Sequence, residues 1–466
     1  IETRPKRRYP AGEGGAHILG TVGEVNEAEL NSPEFEGVEP GRIVGRSGIE
    51  AQYDPVLQGQ PGTRFVEVDA VGRIVGSFRG VRTMPEEPGS DIELNVDLGL
   101  IEWIHRIFPE GGRGAVVVLD VATGGVLALE SFPSYDPNVF AGVVDPAEWN
   151  RLAGDQDTPL YNRAIMGTYP PGSPWKLATA AIGLETGAIT PTDRMPVACT
   201  GAFRFGNRIA RCWDEAGHGS LDLAGAIANS CNVYFYQLGL SIGLEQLLAR
   251  SNRMGFGDQC GIDLPSEGRG IFPQGVEFWE ERYGYRATQG EVLNLAIGQG
   301  PNAQSPLKMA QFLVAIARDG SAPAPTLNRA APAEEAWRLD VSGESLAEIR
   351  SGMSRVMAPG GTAYMSSLEY FEMLGKTGTA ESGEGRETHA WFTGMAGRFG
   401  GPPEIVVVVL VEFAGTGSAV AAPLAAKTAD YYLRGEYDIP RDTIQTLREY
   451  LAVGRSTEAW AGRQGR

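Results

Sequence analysis

The sequence is poor in lysine, and this scarcity makes each lysine informative. Only five of its 40 basic residues are lysine, and they stand at positions 6, 176, 308, 376 and 427. Because arginine supplies positive charge elsewhere, a retained lysine indicates a site that needs a compact amine, or an amine able to lose its proton. Lys176 and Lys376 both lie in short motifs whose other residues can take part in catalysis or in substrate binding.

Two further deficits exclude whole classes of function. The sequence has no run of about 18 apolar residues, so it contains no predicted transmembrane helix. Its net charge of −18 argues against a nucleic-acid-binding surface. The chain begins at Ile1, and we expect any signal or membrane anchor to lie upstream. A length of 466 residues allows two or three domains with a large core.

The pattern of predicted elements divides the chain into three parts. Residues 1–90 are rich in glycine, proline and glutamate, and we interpret them as an accessory domain without chemistry. Alternating apolar and polar residues predict a half-exposed strand at 63–69 within it. Residues 91–440 begin with strands, continue with a long helical middle from about 172 to 355, and return to strands before a final helix at 419–433. The predicted strands are 91–97, 114–120, 125–130, 373–380, 389–396 and 405–413. Strands at both ends of a helical middle predict one antiparallel sheet packed between helices, an α+β fold. Residues 441–466 form an arginine- and glutamate-rich tail.

The segment Tyr169–Glu185 predicts a buried helix that begins near a serine. Two prolines and a glycine precede Ser173, and Pro174 suits the first helical turn, where its missing N–H costs little. Helical spacing then places the hydroxyl of Ser173 and the amine of Lys176 on one face. A serine that attacks a carbonyl needs a nearby base, and a lysine desolvated in an apolar helix can supply one.

Ser305 and Lys308 repeat this spacing, and there the pattern is typical of a helix N-cap followed by an exposed lysine. A catalytic interpretation of Ser173 therefore depends on two further motifs. The first contains Ser230 and Asn232, which offer a second hydroxyl and an amide that can pass a proton and hold a substrate amide. Taken alone, it also fits a helix terminus rich in capping residues.

The second motif, Lys376-Thr377-Gly378, lies in a predicted strand. A cation and a hydroxyl there can bind a substrate carboxylate, and Gly378 allows the substrate backbone to approach closely. The backbone N–H of Thr379 can join that of Ser173 as an oxyanion hole. A merely solvated lysine is the alternative, but three such motifs in so lysine-poor a chain favour one catalytic site.

These motifs resemble the Ser-X-X-Lys, Ser-X-Asn and Lys-Thr-Gly boxes of the active-site serine penicillin-recognising enzymes. Further segments resemble the class B penicillin-binding proteins, and they are residues 120–129, 132–138, 162–164, 297–300, 376–380 and 390–392. Segments 17–23 and 45–50 are similar to the membrane-proximal pedestal of that class. The resemblance implies a penicillin-binding, serine β-lactamase-like transpeptidase domain with an N-terminal, dimerisation-like pedestal domain, over most of residues 10–435.

Within that class, Cys212-Trp213 followed by Gly217-His218-Gly219 is most similar to penicillin-binding protein 2, the elongation transpeptidase. A division-specific relative is the alternative. A serine β-lactamase is disfavoured, because Glu291 and Asn294 are one residue short of the Glu-X-X-X-Asn spacing expected for deacylation. A D,D-carboxypeptidase and a non-catalytic β-lactam sensor or scaffold stay open.

The resemblance implies peptidoglycan D,D-transpeptidation that needs no cofactor. Ser173 would attack the penultimate D-Ala carbonyl of a stem peptide, and Lys176 would take its proton. Ser230 and Lys376 would pass the proton towards the leaving D-Ala amine. An amine of a neighbouring stem peptide would then resolve the acyl-enzyme, whereas β-lactams, which mimic D-Ala-D-Ala, would leave Ser173 acylated.

The same resemblance assigns the binding residues and the cellular setting. Asn232 and Thr379 would hold the peptide backbone, and Lys376 with Thr377 the terminal carboxylate, beside Gly378. It also implies a RodA-like membrane glycosyltransferase of the SEDS family and elongation-complex proteins as partners. The protein would be a single-pass inner-membrane protein, anchored by an N-terminal helix missing from this sequence, with a periplasmic catalytic domain.

Three of the four cysteines and one histidine suggest a metal site. Cys199, Cys212, His218 and Cys231 follow the spacing Cys-X12-Cys-X5-His-X12-Cys, and three cysteines with one histidine make a closed tetrahedral zinc set. Since Cys231 is the middle residue of the Ser-X-Asn motif, a structural zinc would brace that motif from behind. The spacing matches no common zinc ribbon, and the alternative is a buried apolar Cys231, an exposed His218 and a Cys199–Cys212 disulfide.

Overall fold

The computed structural model describes residues 6–33, 38–60, 62–63, 65–78, 84–383 and 385–435. The tail predicted over residues 441–466 lies outside the described residues. Within the described ranges, no helix is both long enough and apolar enough to cross a membrane.

Thirteen strands occur in the described ranges. They are β1 (Val22–Glu24), β2 (Ile43–Gly45), β3 (Val66–Val68), β4 (Ile74–Ser77), β5 (Gly114–Asp120), β6 (Val126–Phe132), β7 (Ala202–Phe205), β8 (Arg208–Arg211), β9 (Ser321–Pro323), β10 (Glu335–Arg338), β11 (Glu372–Ala380), β12 (His389–Gly397) and β13 (Ile405–Val411).

Fifteen α-helices occur in the same ranges. They are α1 (Ala16–Leu19), α2 (Glu27–Leu30), α3 (Gly48–Gln52), α4 (Asp54–Leu57), α5 (Leu98–Ile107), α6 (Pro146–Ala153), α7 (Lys176–Glu185), α8 (Leu223–Ala228), α9 (Asn232–Ile242), α10 (Leu244–Arg253), α11 (Glu277–Tyr283), α12 (Gly290–Leu295), α13 (Pro306–Ala317), α14 (Gly343–Met357) and α15 (Ala421–Arg434). Short 3-10 turns cover Pro137–Phe140, Ser173–Trp175 and Tyr364–Ser366.

One five-stranded antiparallel sheet, in the order β11-β12-β13-β5-β6, confirms the prediction of a sheet assembled from distant segments. β13 is a run of β-branched and leucine residues, all of them buried, as suits a central strand covered on both faces. It pairs along its whole length with β5, so that Val411 lies opposite Gly114. This pairing joins the beginning and the end of the larger domain.

Helices pack on this sheet in two groups. α5 and α15 contact each other and the strands β6, β12 and β13, while α13 and α14 contact each other and the strands β5 and β11 to β13. α7 packs against α14 and against α9, and it is buried from Lys176 to Gly183. The predicted α+β class is therefore correct, and α7 forms part of its interior.

Some local expectations were wrong. The alternating segment 91–97 forms no strand; it makes an isolated bridge from Leu94 to Asn328, and the Asn95 N–H donates to the Leu327 carbonyl at 2.8 Å. The predicted helical middle also contains two hairpins, β7–β8 and β9–β10. The predicted strand at 63–69 is present as the shorter β3, because only Val66–Val68 pairs with β4.

The N-terminal segments contact the larger domain through buried and half-buried polar groups. His17 Nε2 donates to the carbonyl oxygen of Pro159 at 2.9 Å. Farther along the chain, Tyr53 Oη donates to an Asp263 carboxylate oxygen, also at 2.9 Å. Burial lowers the pKa of His17 to about 4, so this imidazole is neutral at pH 7.

Candidate active site

The backbone before Ser173 is held by close approach of two glycines. Gly172 has φ 59°, in the left-handed region, and its N–H donates to the Gly298 carbonyl at 2.9 Å. A Cβ on Gly298 would lie only 2.2 Å from the Gly172 oxygen, so a side chain there would displace the loop. Upstream, Tyr169 and Gln304 exchange backbone hydrogen bonds of 3.0 and 2.8 Å. The predicted helix therefore begins at a fixed place, as a 3-10 turn over Ser173–Trp175 that continues into α7.

The hydroxyls of two serines and one lysine amine form a continuous hydrogen-bonded path. Ser230 Oγ donates to Ser173 Oγ at 2.9 Å, and Lys176 Nζ donates to Ser230 Oγ at 3.1 Å. Lys176 Nζ also donates to the Ser230 carbonyl at 2.7 Å and to Asn232 Oδ1 at 2.6 Å. The structure therefore brings together the four residues predicted from the first two motifs, with Ser230 between Ser173 and Lys176.

Ser230 occupies a strained turn between two buried helices. α8 ends at Ala228 and α9 begins at Asn232, and Ser230 between them has φ 51°, which is uncommon for a residue other than glycine. Such a conformation costs on the order of 1–3 kcal/mol and persists only where the surroundings hold it. The turn aims the Ser230 hydroxyl at both Ser173 and Lys176.

The amine of Lys176 is poised to lose its proton. The side chain is fully buried, and the desolvation of the ammonium lowers its pKa to about 8. The Phe235 ring lies beneath the amine, 5.6 Å from its centroid. At pH 7 the protonated form still dominates, which agrees with three hydrogen bonds donated by one nitrogen.

β11 brings the third motif against the start of the buried helix. A Cβ on Gly378 would lie 2.6 Å from Pro174 Cδ and 2.8 Å from Trp391 Cβ, so only glycine permits this contact. Thr379 is exposed, and β11 is the outer strand of the sheet. The backbone of Thr379 also lies close to Gly172, since a Cβ added to Gly172 would be 3.3 Å from the carbonyl oxygen of Thr379. The two N–H groups predicted for an oxyanion hole thus belong to adjacent segments.

The second lysine of the site is as buried as the first. Lys376 is fully buried, and its Nζ donates to the Thr377 carbonyl at 3.1 Å. Burial, and then repulsion from Lys176, hold the pKa of Lys376 well below its usual value. The predicted alternative of a solvated lysine is therefore wrong.

Thr362 is a neighbour of the site that the sequence interpretation missed. Its Oγ1 lies 2.9 Å from Thr377 Oγ1, and its N–H donates to the Ala228 carbonyl at 3.4 Å. Thr362 lies 14 positions before Lys376 in a glycine-containing loop. No regular spacing links the two, so only the folded chain identifies the contact.

Cys199, Cys212, His218 and Cys231 form one compact cluster behind the Ser-X-Asn turn. One potential ligand atom from each residue lies within 4.8 Å of the others, and all four cysteines of the chain are free thiols. The side chain of His218 is only 6% exposed. The alternative of an exposed histidine and a Cys199–Cys212 disulfide is therefore wrong.

The distances within this cluster fit a tetrahedral metal. His218 Nδ1 lies 3.6 Å from Cys199 Sγ and 3.5 Å from Cys212 Sγ. Zinc–sulfur and zinc–nitrogen bonds at a tetrahedral angle would separate such ligands by about 3.6 Å. His218 Nε2 lies 3.8 Å from an Asp214 carboxylate oxygen, too far for a hydrogen bond, so Nδ1 is the ring nitrogen that faces Cys199 and Cys212. A hydrogen bond with Cys231 lowers the pKa of the Cys212 thiol.

The repeated serine–lysine spacing at Ser305 is a helix N-cap, as predicted, but the expectation of an exposed lysine was wrong. Ser305 Oγ accepts from the Lys308 N–H at 3.1 Å. Lys308 is buried, and its Nζ donates to Gln311 Oε1 at 3.2 Å and lies 4.6 Å from the Trp337 ring centroid. α13 is buried along nearly its whole length, so its lysine has no solvent to reach.

This arrangement defines a class of enzyme: a serine hydroxyl linked to a buried lysine, beside an edge strand that carries a second lysine, is built for acyl transfer. The chain belongs to the penicillin-binding proteins. Residues 114–430 match the family model for the penicillin-binding protein transpeptidase domain, and residues 1–94 match that for the penicillin-binding protein dimerisation domain. The presence of both domains confirms the predicted class B architecture.

Relatives narrow the assignment to the penicillin-binding protein 2 type. The chain is 33% identical to peptidoglycan D,D-transpeptidase MrdA of Haemophilus influenzae, over 93% of this chain and 70% of that protein. It is similar to a solved complex of penicillin-binding protein 2 and MreC from Helicobacter pylori, with a TM-score of 0.82, 30% identity, and coverage of 92% of this chain and 79% of that one. A chain from a peptidoglycan synthase complex that coordinates polymerization and crosslinking gives a TM-score of 0.80 at 32% identity, over 93% of this chain and 77% of that one.

Proposed function

We propose that this chain is a peptidoglycan D,D-transpeptidase that cross-links stem peptides during bacterial cell-wall elongation, through an acyl-enzyme on Ser173. One observation carries the proposal: a hydrogen-bonded path leads from Ser173 Oγ through Ser230 Oγ to the buried amine of Lys176. This path ends at an amine whose pKa is lowered by burial to about 8, near the operating pH, as a general base requires. Membership of the penicillin-binding family supplies the substrate class.

In the acylation step the proton moves from Ser173 through Ser230 to Lys176, opposite to the direction in which the hydrogen bonds are donated in the resting state. In the resting state Lys176 donates to Ser230, and Ser230 donates to Ser173. Once Lys176 is neutral, both hydroxyls can rotate, so that Ser173 donates to Ser230 and Ser230 donates to the amine. As Ser173 Oγ bonds to the penultimate D-Ala carbonyl carbon, its proton moves towards Lys176. When the amide C–N bond breaks, the proton held by Lys176 passes by way of Ser230 and Lys376 to the leaving D-Ala amine, and Lys176 becomes neutral again.

β11 and the Asn232 side chain provide the substrate-binding groups in this mechanism. The stem peptide would lie along the outer edge of β11 as an added strand, bound by Thr379 and Asn232, with Gly378 permitting its close approach. Lys376 and Thr377 would hold its terminal carboxylate. The N–H groups of Ser173 and Thr379 would stabilise the oxyanion of the tetrahedral intermediate.

The second half-reaction distinguishes the transpeptidase from its alternatives. An amine of a neighbouring stem peptide attacks the acyl-enzyme and forms the cross-link, whereas water in its place would make a D,D-carboxypeptidase. A β-lactamase would need a carboxylate to activate that water. The residues considered for this role make other contacts: Glu291 accepts from Tyr285 at 3.4 Å, and Asn294 accepts from Arg208 at 2.7 Å. A division-specific transpeptidase and a non-catalytic β-lactam sensor are the remaining alternatives.

Mass spectrometry after exposure to a β-lactam tests this function. We expect one covalent adduct per chain, located on the peptide that contains Ser173, with release much slower than acylation. Rapid release of hydrolysed β-lactam would identify a β-lactamase. An adduct on another serine, or none at all, would overturn the assignment of the nucleophile. Incubation with a D-Ala-D-Ala pentapeptide and an amine acceptor then separates cross-linking from carboxypeptidase hydrolysis.

The pKa of Lys176 predicts a pH dependence of acylation. A lysine with a pKa of about 8 is neutral in about one tenth of molecules at pH 7 and about nine tenths at pH 9. The second-order rate constant for β-lactam acylation should therefore rise about tenfold over this range and level off above it. Stopped-flow measurement with a fluorescent penicillin follows this change, with melting temperatures at each pH as the control. A flat profile between pH 7 and 9 would contradict the role of Lys176 as base.

We further propose that Cys199, Cys212, His218 and Cys231 hold a structural zinc ion. Three sulfurs and one imidazole nitrogen at these separations suit a closed tetrahedral site. Such an ion would tie the Ser-X-Asn turn, through Cys231, to the preceding segment that carries Cys199, Cys212 and His218. The chemistry of acyl transfer itself needs no cofactor.

The cellular setting is proposed from the family. We place a pedestal domain at residues 1–90, the transpeptidase domain at 91–440 and a tail at 441–466. The protein would be held in the inner membrane by a single N-terminal helix outside this sequence, with its catalytic domain in the periplasm. Because one relative of this type is found in a complex with MreC and another in a peptidoglycan synthase complex that coordinates polymerization and crosslinking, we propose elongation-complex proteins and a RodA-like SEDS glycosyltransferase as partners.

A further inference from the structure

Thr362 connects the two sides of the candidate active-site cleft, which are β11 with its Lys-Thr-Gly motif and the Ser-X-Asn turn after α8. Its hydroxyl lies 2.9 Å from the hydroxyl of Thr377 on β11, and its N–H donates to Ala228, the last residue of α8. Ala228 stands two residues before Ser230. One residue thus contacts both the strand that carries the Lys-Thr-Gly motif and the helix that leads into the Ser-X-Asn motif.

The loop that carries Thr362 is held rigidly by the end of α14. Gly361 N–H donates to the Ala358 carbonyl at 2.8 Å, and Ala363 N–H donates to the Val356 carbonyl at 3.0 Å. A Cβ on Gly361 would lie 2.2 Å from the Arg355 oxygen, so the backbone of α14 packs directly on this loop. The hydroxyl of Thr362 is therefore presented at a fixed position, as a residue that orients another must be.

The direction of the Thr362–Thr377 hydrogen bond decides what Thr377 can do. A hydroxyl has one proton to donate. If Thr377 gives it to Thr362, none is left for a ligand; if Thr362 donates instead, the Thr377 proton is free to point into the cleft. A carboxylate can only accept, so its binding selects the second arrangement and the two bonds strengthen each other.

We propose that Thr362 is a positioning residue, whose hydroxyl orients that of Thr377 to donate to the carboxylate of the stem peptide or β-lactam. This inference rests on the proposed function, because it assigns a determinant of carboxylate recognition in the same site. Thr362 does not touch the carbonyl under attack. Its loss should therefore weaken binding and leave the chemical step nearly unchanged.

The test measures binding and acylation separately in Thr362→Val, which keeps the shape of threonine but removes the hydroxyl. We expect the half-saturation concentration for benzylpenicillin to rise about two- to tenfold, the usual effect of one hydrogen bond between neutral groups, and the limiting acylation rate to change less than about twofold. For the methyl ester of benzylpenicillin, which has no carboxylate, the half-saturation concentration should be the same in both proteins. Thr362→Ser should restore the wild-type value.

A second measurement separates this role from a general effect on folding. In a Thr377→Val background, Thr362→Val should produce no additional change in half-saturation, because the two act as one unit. An equal effect on the acid and the ester, or a loss confined to the acylation rate, would overturn the inference. If the wild-type protein is not acylated at Ser173 at all, the proposed function fails instead. If Thr362→Val does not fold, Thr362→Ser decides the question by itself. A half-saturation concentration for benzylpenicillin that differs from wild type in Thr362→Ser would also contradict the inference.

Discussion

Replacing Lys176 by methionine should lower the rate of β-lactam acylation about 10²- to 10⁴-fold, the usual contribution of a positioned general base. Methionine keeps the length of the side chain but can accept no proton in its place. Lys176→Arg should lose activity to the same extent, because a guanidinium keeps the positive charge and the donors but does not deprotonate in proteins. A loss in both variants would therefore identify proton acceptance, and not charge, as the function of Lys176. Stopped-flow acylation and intact-protein mass spectrometry measure the effect.

The chain provides a matched control for this experiment. Lys308 has the same spacing from a serine in the first turn of a helix and is also buried. Lys308→Met should cost stability, because Gln311 and the Trp337 ring lose a cation, but its acylation rate should stay within about twofold of wild type. Circular dichroism would verify that both variants are folded. Acylation of Lys176→Met at more than one tenth of the wild-type rate would refute the assignment of the base.

The comparison of Lys176 and Lys308 shows how much of the candidate site could be predicted from the sequence. Scarcity of lysine and the order of three motifs were enough to select Ser173 and Lys176 over Ser305 and Lys308. The burial of Lys308 was missed, although every other residue of its helix except Gln311 is apolar, because a lone lysine in such a helix was assumed to reach solvent. An uninterrupted apolar pattern around a charged residue indicates a buried charge with partners.

Other features of the site depend on backbone geometry that no spacing reveals. The path from Ser173 to Lys176 passes through Ser230 because the turn between α8 and α9 places that residue at φ 51°. Thr362 reaches Thr377 only because α14 ends where it does. The five sheet strands were predicted nearly in place, yet their order requires β5 to pair with β13, almost 300 residues away. Local propensity determines elements, whereas such distant pairings are determined by packing.

Replacing Cys212 by serine should remove zinc and destabilise the protein. Structural zinc contributes about 10–16 kcal/mol in small zinc-binding peptides, so loss of one of four ligands here should cost about 3 kcal/mol or more of the free energy of unfolding. Metal analysis of the wild-type protein should find about one zinc per chain, and of Cys212→Ser less than about 0.2. Thermal unfolding and acylation by a fluorescent penicillin should both decline in the variant.

The decline in acylation follows from how the cluster is connected to the site. Cys231 stands between Ser230 and Asn232, and Trp213, next to Cys212, donates its indole N–H to the Asn229 carbonyl at 2.9 Å. A bond from zinc to Cys212 and Cys231 would therefore hold the strained turn at Ser230 from two directions, and its loss would let that turn relax. Zinc would then act on the position of Ser230 and not on the reaction itself.

Cys260 is the matched control, because it is buried like the others but lies outside the cluster. Cys260→Ser should lose some stability through burial of a more polar group, but it should keep its zinc and its acylation rate. If Cys260→Ser and Cys212→Ser behave alike, or if the wild-type protein carries no zinc, the cluster is only a set of packed thiols. Cys231 is at once a proposed zinc ligand and the middle residue of the Ser-X-Asn motif. Retention of zinc by Cys260→Ser and its loss from Cys212→Ser would therefore show that the metal supports the Ser-X-Asn turn.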